Sequence, residues 1–177
     1  IKMIVGDYML VNLKEVMKDA LEKGYAVGAF NVTNLESAMA IIEAAEEMKK
    51  PVILNYALVH SPLLSMEIAA HIMIYFAQKA NVPVCVHLDH GTNIESCIKA
   101  IQLGFTSVMI DASAMEYEEN VATTKEVVRL AHSVGVSVEA ELGSIFSSNI
   151  GVGESKEKVD DKEENENMYT DPNLAKD

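Results

Sequence analysis

Short apolar segments alternate with longer amphipathic segments along most of the chain. The short segments are rich in β-branched residues, as buried parallel strands are, and the longer ones repeat apolar positions at helical spacing. The pattern predicts five strands, at 25–32, 51–57, 82–91, 106–113 and 136–143. It predicts helices at 11–23, 34–49, 65–80 and 93–103, and one more within 117–134. Asn12 and Gly24 are suited to cap the first helix.

This alternation predicts an α/β fold with a parallel sheet and right-handed crossovers. Short strands at close spacing favour a (β/α)8 (TIM) barrel over a doubly wound sheet. No Gly-x-Gly-x-x-Gly turn follows the first strand, which weakens a dinucleotide-binding interpretation. Such a barrel needs eight strands, and the sequence supplies five. We therefore expect residues 1–177 to form a single, partial barrel domain, the N-terminal part of a larger protein.

The composition changes at Ser144. Residues 10–143 hold all the predicted strands and helices, whereas residues 144–167 have few large apolar side chains and many acids. This segment is either a solvated, disordered stretch or a long acidic active-site loop after the fifth strand. Residues 168–177, which begin Met-Tyr-Thr-Asp-Pro, predict the start of the next helix.

Composition limits the partners and the location. Hydrophobic residues make up 49% of the chain, which is typical of a globular protein. The net charge of -13 argues against nucleic acid and anionic membranes as partners, although local groups and a metal can still bind a phosphorylated substrate. No apolar run reaches the roughly 20 residues of a membrane span. The first residues lack a signal-peptide pattern and the two cysteines follow no disulfide framework, so a cytoplasmic location is expected.

Acidic side chains and one imidazole gather at the ends of three successive predicted strands. Asp89 and His90 end the third strand, Asp111 lies near the end of the fourth, and Glu139 and Glu141 share one face of the fifth. Carboxylates crowded in a partly dry site repel one another, so a cation must offset their charge. These strands carry no Lys or Arg, and a metal ion with His90 as its nitrogen ligand is therefore the simplest candidate.

Each of these residues also has a purely structural interpretation. A histidine at a strand end is commonly a hydrogen-bonded structural residue, and Asp111 would suit the cap of the next helix. His87 fits a core position or a supporting role better than a catalytic one. The joint placement of four acids and His90 favours the functional interpretation.

Five motifs follow one another along the chain: Gly-Ala-Phe-Asn-Val at 28–32, Pro-Val-Ile-Leu at 51–54, His-Leu-Asp-His-Gly at 87–91, Gly-Phe-Thr-Ser-Val-Met-Ile-Asp at 104–111 and Glu-Ala-Glu-Leu-Gly at 139–143. With these motifs in this order, the chain resembles the N-terminal part of the class II, metal-dependent ketose-bisphosphate aldolases. That family covers fructose-bisphosphate and tagatose-bisphosphate enzymes.

The resemblance implies roles for individual residues. It makes His90 a zinc ligand and Asp89 the acid/base at the C4 hydroxyl of the substrate. Asp111 and Glu141 match acids linked with a second or alternative metal position, which takes a further divalent or monovalent cation. Asn31 becomes a candidate substrate-binding residue. Glu154 is the candidate for the loop glutamate that works on the C3 proton.

The resemblance also implies an activity: a lyase of glycolysis and gluconeogenesis that converts fructose 1,6-bisphosphate reversibly into dihydroxyacetone phosphate and glyceraldehyde 3-phosphate. Zinc would stabilise the enediolate, and the enzyme would be a homodimer or homotetramer. The family's other two zinc histidines lie in later strands, so residues 1–177 alone should be inactive. Ala57 stands where some members have a phosphate-contacting serine. A tagatose-bisphosphate aldolase and a non-catalytic half-barrel that pairs with a complementary chain therefore stay open as alternatives.

Overall fold

The computed structural model describes residues 9–143, residue 170 and residues 172–176. In chain order its elements are β1 (Leu10–Val11), α1 (Leu13–Lys23), β2 (Ala29–Asn31), α2 (Leu35–Met48), β3 (Val52–Ala57), α3 (Met66–Lys79), β4 (Val84–Gly91), α4 (Ile94–Gln102), β5 (Ser107–Ile110), α5 (Tyr117–His132) and β6 (Ser137–Ala140). Short 3-10 helices lie at Leu58–His60 and Leu174–Lys176. None of the described helices is both long enough and apolar enough to cross a bilayer.

The strands form one parallel sheet, in which β2 to β6 lie side by side in sequence order. The order is β2-β3-β4-β5-β6, with a helix between each pair, and this is the arrangement of a partial TIM barrel. The predicted fold class and its five wall strands are confirmed.

Strand β1 was missed by the sequence pattern. It pairs with the start of β4 through Leu10 and Val11, in a segment where helix α1 was predicted to begin at Val11. The helix begins at Leu13 because the Asn12 side chain accepts a hydrogen bond from the Glu15 backbone N–H and caps it. A strand of two residues is too short to produce an alternating pattern.

The outer face of the sheet is the hydrophobic core. Side chains at alternate positions of the central strands are buried beneath α2 to α5, which fixes those strands against a packed layer. They are Leu54 and Tyr56 on β3, Val84, Val86 and Leu88 on β4, and Val108 and Ile110 on β5. Burying one such side chain contributes roughly 1.5–3 kcal/mol, so β4 is held firmly on this face.

Helix α1 lies across the N-terminal end of the sheet. Its cap residue Asn12 donates through Nδ2 to the carbonyl oxygen of Gly135, at 3.1 Å. Val16 packs with Ile53 and Cys85, which lie on the opposite face of the sheet from the main core. This helix therefore covers the lower part of the inner face and leaves the C-terminal ends of the strands open. Those ends carry the active sites of TIM barrels.

Candidate functional site

The end of β4 departs from regular strand geometry at His90. This residue has a φ of 51°, and the pairing of β4 with β5 shifts register between Leu88 and Gly91. Regular alternation would place His90 on the face opposite Asp89. The left-handed backbone instead turns the imidazole towards β5 and β6. Such a conformation is uncommon for a residue other than glycine and persists when its surroundings hold it in place.

Gly91 makes this turn possible. A Cβ atom added to it would lie 2.5 Å from the carbonyl oxygen of Met109, because β4 and β5 approach closely here. Any side chain at this position would push the two strands apart. The glycine therefore sets the separation between His90 on β4 and Asp111, which follows β5.

Three potential ligand atoms meet at this point. His90 Nδ1 lies 3.0 Å from Asp111 Oδ2 and 3.8 Å from Glu141 Oε2. One ligand atom from each of the three residues fits within 4.8 Å of the others. His90 Nε2 lies 3.9 Å from Asp89 Oδ1, so a further carboxylate borders the group.

Asp111 is held by its own loop. Its Oδ1 accepts hydrogen bonds from the backbone N–H and the hydroxyl of Ser113, at 3.1 and 2.7 Å, which leaves Oδ2 for His90. Burial raises the pKa of Asp111, but the bonds from Ser113 and His90 outweigh it and lower the pKa. The N-cap of α5 is Glu116, so Asp111 does not cap that helix.

The cluster carries an excess of negative charge. Burial lowers the pKa of His90, but the hydrogen bond to Asp111 and the charges of Asp89, Asp111 and Glu141 outweigh it and raise the pKa. Burial and the charge of Asp111 raise the pKa of Glu141. Carboxylates that repel one another beside one imidazole favour the binding of a cation.

A second polar group lies one layer deeper, beneath Asp89. His87 is 3% exposed, and its Nδ1 lies 2.8 Å from the hydroxyl of Ser107, which is fully buried. Its Nε2 lies 3.4 Å from Glu139 Oε2. Burial lowers the pKa of His87 to about 4, so the imidazole is neutral at physiological pH and its contact with Glu139 is a polar contact rather than an ion pair.

Comparison with known proteins assigns the family. Residues 11–177 match the family model described as "Fructose-bisphosphate aldolase class-II". The chain belongs to the class II fructose-bisphosphate aldolase family.

The matched part of the chain covers about half of each curated relative. A "Probable fructose-bisphosphate aldolase" from Bacillus subtilis (strain 168) is 53% identical over 139 residues, which cover 77% of this chain and 49% of that protein. A fructose-bisphosphate aldolase from Thermus caldophilus is 48% identical over 159 residues, which cover 88% of this chain and 52% of that protein. The chain thus spans about half the length of these relatives.

Solved structures show the same fold. The YdjI aldolase from Escherichia coli K12 superposes with a TM-score of 0.78 at 40% identity, covering 94% of this chain and 58% of that one. A putative fructose-1,6-bisphosphate aldolase from Coccidioides immitis superposes with a TM-score of 0.72 at 30% identity, covering 80% of this chain and 50% of that one.

The predicted site residues of this aldolase-family chain fall into three groups. His90, Asp111 and Glu141 come together, with Asp89 beside them. Asn31 lies on β2, two strands from β4, and is exposed. Glu154 lies outside the described residues, as does the predicted loop at 144–167.

Two serines with clear contacts were not singled out from the sequence. Ser113 anchors Asp111 from two residues further along the chain, and the Asp-x-Ser spacing is a local signal that points to it. Ser107 contacts His87 because the two residues are paired in register between β4 and β5. That pairing is a property of the sheet, and no local sequence signal reports it.

Proposed function

We propose that the protein carrying this chain is a zinc-dependent aldolase that cleaves a ketose 1,6-bisphosphate reversibly. The expected reaction converts fructose 1,6-bisphosphate into dihydroxyacetone phosphate and glyceraldehyde 3-phosphate. The observation that supports it most is the cluster of His90, Asp111 and Glu141 beside Asp89, at the C-terminal ends of parallel strands in a chain of this family.

The donor atoms of the cluster fit a zinc ion. Nitrogen and carboxylate oxygen are zinc ligands, and ligand atoms lie about 3.4 Å apart around a tetrahedral ion. The separations of 3.0 and 3.8 Å from His90 Nδ1 lie on either side of that value. Bound there, the ion would act as a Lewis acid towards the ketose oxygens. His90 is the proposed zinc ligand, and Asp111 and Glu141 form the second or alternative position, where the zinc ion itself or a further divalent or monovalent cation would bind.

Asp89 is the proposed acid/base. Its side chain is 22% exposed, on the inner face at the strand end, where a substrate in the barrel mouth can reach it. In the cleavage direction Asp89 takes the proton from the C4 hydroxyl and the C3–C4 bond breaks. C4 becomes the aldehyde carbon of one product, and the electron pair of the broken bond stays on C3 of the other. In condensation Asp89 returns the proton. Glu154, as the group that works on the C3 proton, and Asn31, as a substrate contact, stay predictions.

Two alternatives keep some support. Ala57 is in register with Asp89 and therefore lies beside the site, and its lack of a phosphate-contacting hydroxyl leaves the choice between a fructose and a tagatose bisphosphate open. All three residues of β2 are exposed, which suits a half-barrel that pairs with a complementary chain. A cytoplasmic location and a homo-oligomeric state are further predictions.

The test is an assay of the full-length protein with both epimeric bisphosphates, with zinc and after chelation. We expect zinc-dependent turnover that is faster with the fructose epimer. Asp89→Asn should lower kcat by about 10²–10⁴-fold, the typical contribution of a general acid/base. Asp19→Asn on α1, at the far end of the sheet, is the matched control and should leave kcat unchanged.

Three outcomes of this assay count against the proposal or part of it. Turnover that survives both chelation and Asp89→Asn contradicts the mechanism. A preference for the tagatose epimer supports the first alternative. Robust turnover by residues 1–177 alone contradicts the expectation that later strands supply essential ligands, and a partner chain that co-purifies with them supports the half-barrel.

A further inference from the structure

Three polar side chains on adjacent strands form a chain of contacts below the metal cluster. Ser107 on β5 contacts His87 on β4 at 2.8 Å, and His87 contacts Glu139 on β6 at 3.4 Å. Ser107 and His87 are almost fully buried, whereas the Glu139 side chain is 49% exposed. This series of contacts therefore runs from the core to the open inner face.

The contacts have a preferred direction. A neutral imidazole carries one proton, and the bond made by one ring nitrogen decides which nitrogen holds it. If Nδ1 held the proton, the Nε2 lone pair would face the Glu139 carboxylate and repel it. If Nε2 holds it, the Ser107 hydroxyl donates to Nδ1, and Nε2–H faces the Glu139 carboxylate at 3.4 Å. Only the second arrangement provides a donor and an acceptor for each contact.

The Glu139 side chain contacts His87 although about half of it is exposed to solvent. A half-exposed glutamate is normally hydrated and free to change rotamer. Here a buried imidazole lies 3.4 Å from one of its oxygens, and about half of the side chain stays exposed. The contact with His87 therefore holds the Glu139 carboxylate in place, and its exposed part is an acceptor that the described residues leave available to a ligand.

We propose that His87 is a positioning residue, which holds the Glu139 carboxylate on the floor of the site so that it accepts a hydrogen bond from a substrate hydroxyl. The ligand class is a polyhydroxylated chain, which a ketose bisphosphate provides between its two phosphates. The choice of substrate rests on the proposed function, whereas the contacts among Ser107, His87 and Glu139 do not.

The first experiment tests the contacts of His87 with Ser107 and Glu139 without any activity assay. In the full-length protein, ¹⁵N shifts of the His87 ring report which nitrogen holds the proton. We expect the Nε2–H tautomer between pH 6 and 8. In Glu139→Gln a mixture of tautomers should appear, because an amide can face either a donor or an acceptor at Nε2, whereas Ser107→Ala should keep the Nε2–H form. A wild-type ring protonated at Nδ1 would overturn the proposal.

The second experiment tests the role in substrate binding. Glu139→Gln and His87→Phe each remove one side of the contact and should raise KM about tenfold, the effect of losing a hydrogen bond to a charged group, with kcat within threefold. His87→Gln places an amide N–H near the position of Nε2 and should restore most of the affinity. The double variant His87→Phe, Glu139→Gln should be no worse than either single variant.

The experiments distinguish a failure of the positioning role of His87 from a failure of the proposed function. A folded His87→Phe protein with an unchanged KM, or effects that add in the double variant, would overturn the positioning role. If His87→Phe fails to fold, the comparison of Ser107→Ala, His87→Gln and Glu139→Gln decides instead. Absence of turnover in the unaltered protein would overturn the proposed function and the substrate half of this inference, while the tautomer still decides the positioning half.

Discussion

His90 and Asp111 meet across the ends of β4 and β5, with His90 Nδ1 3.0 Å from Asp111 Oδ2. Neither residue reaches this position by regular strand geometry alone. His90 is turned by its left-handed backbone, and Asp111 is held from behind by Ser113. A contact fixed from both sides is preorganised for a cation, which then needs little rearrangement to bind.

Asp111→Asn should weaken zinc binding strongly, because it removes a carboxylate ligand and a negative charge. Ser113→Ala frees Asp111 to rotate and should weaken binding by about 10–100-fold, as the loss of a supporting hydrogen bond typically does. Isothermal titration of the full-length protein with Zn²⁺ measures both. Asp19→Asn is the control, and equal affinities for wild type and Asp111→Asn would contradict the proposed ligand set.

Gly91→Ala should disturb both stability and metal binding. The added Cβ lies 2.5 Å from a backbone oxygen, which cannot move without separating β4 from β5, and such overpacking costs about 1–3 kcal/mol. Zinc affinity should fall with it, since His90 is the preceding residue.

Gly28→Ala is the matched control for this change. Its Cβ would meet the ring of Phe30, which is 52% exposed and free to swing away. Urea denaturation and zinc titration of both variants make the comparison. Equal losses in the two variants would show that the close approach of β4 and β5 is unimportant.

His87 should make folding stability depend on pH. Its pKa is lowered from 6.5 to about 4, so the unfolded chain binds a proton that the folded chain does not. Stability from this group is complete above pH 6.5 and is lost as the pH falls towards 4, by up to about 3 kcal/mol. Denaturation of wild type and His87→Gln at pH 7.5, 5.5 and 4.5 measures the difference, which should shrink as the pH falls. A constant difference would show that folding leaves the pKa of His87 unchanged.

Leu88→Ala should destabilise the fold by about 2–5 kcal/mol, because Leu88 is fully buried on the outer face of β4 and its loss leaves a cavity. Leu63→Ala removes the same atoms from a side chain that is 78% exposed, and should change stability by less than about 0.5 kcal/mol. Urea denaturation midpoints provide the comparison. Similar losses would mean that β4 is not packed as described.

The fold was predictable because its strands have a strong local signature. The β-branched runs of β3, β4 and β5 and the cap at Asn12 are properties of short stretches, and the structure confirms them. The first strand was predicted at 25–32, but in the structure it covers only Ala29–Asn31. This strand lies at the border of the described sheet and pairs on one side, so fewer of its residues meet a partner.

The sequence indicated which residues gather at the candidate site, but not the geometry that brings them together. Alternation correctly placed His87 and Asp89 on one face of β4, and the acids were identified because they end successive strands. Alternation also implied that His90 points the other way, and only the left-handed turn brings it to Asp111. The partnership of His87 with Ser107 depends on strand register, which no single segment encodes.

The left-handed backbone at residue 90 also limits which side chains can replace the histidine there. Asparagine and aspartate tolerate this conformation better than most residues, because their short polar side chains bond locally. Cysteine, a good zinc ligand by its chemistry, has no such advantage. If His90 binds a metal as proposed, the main chain at this position limits the choice of ligand as much as the affinity for metal does.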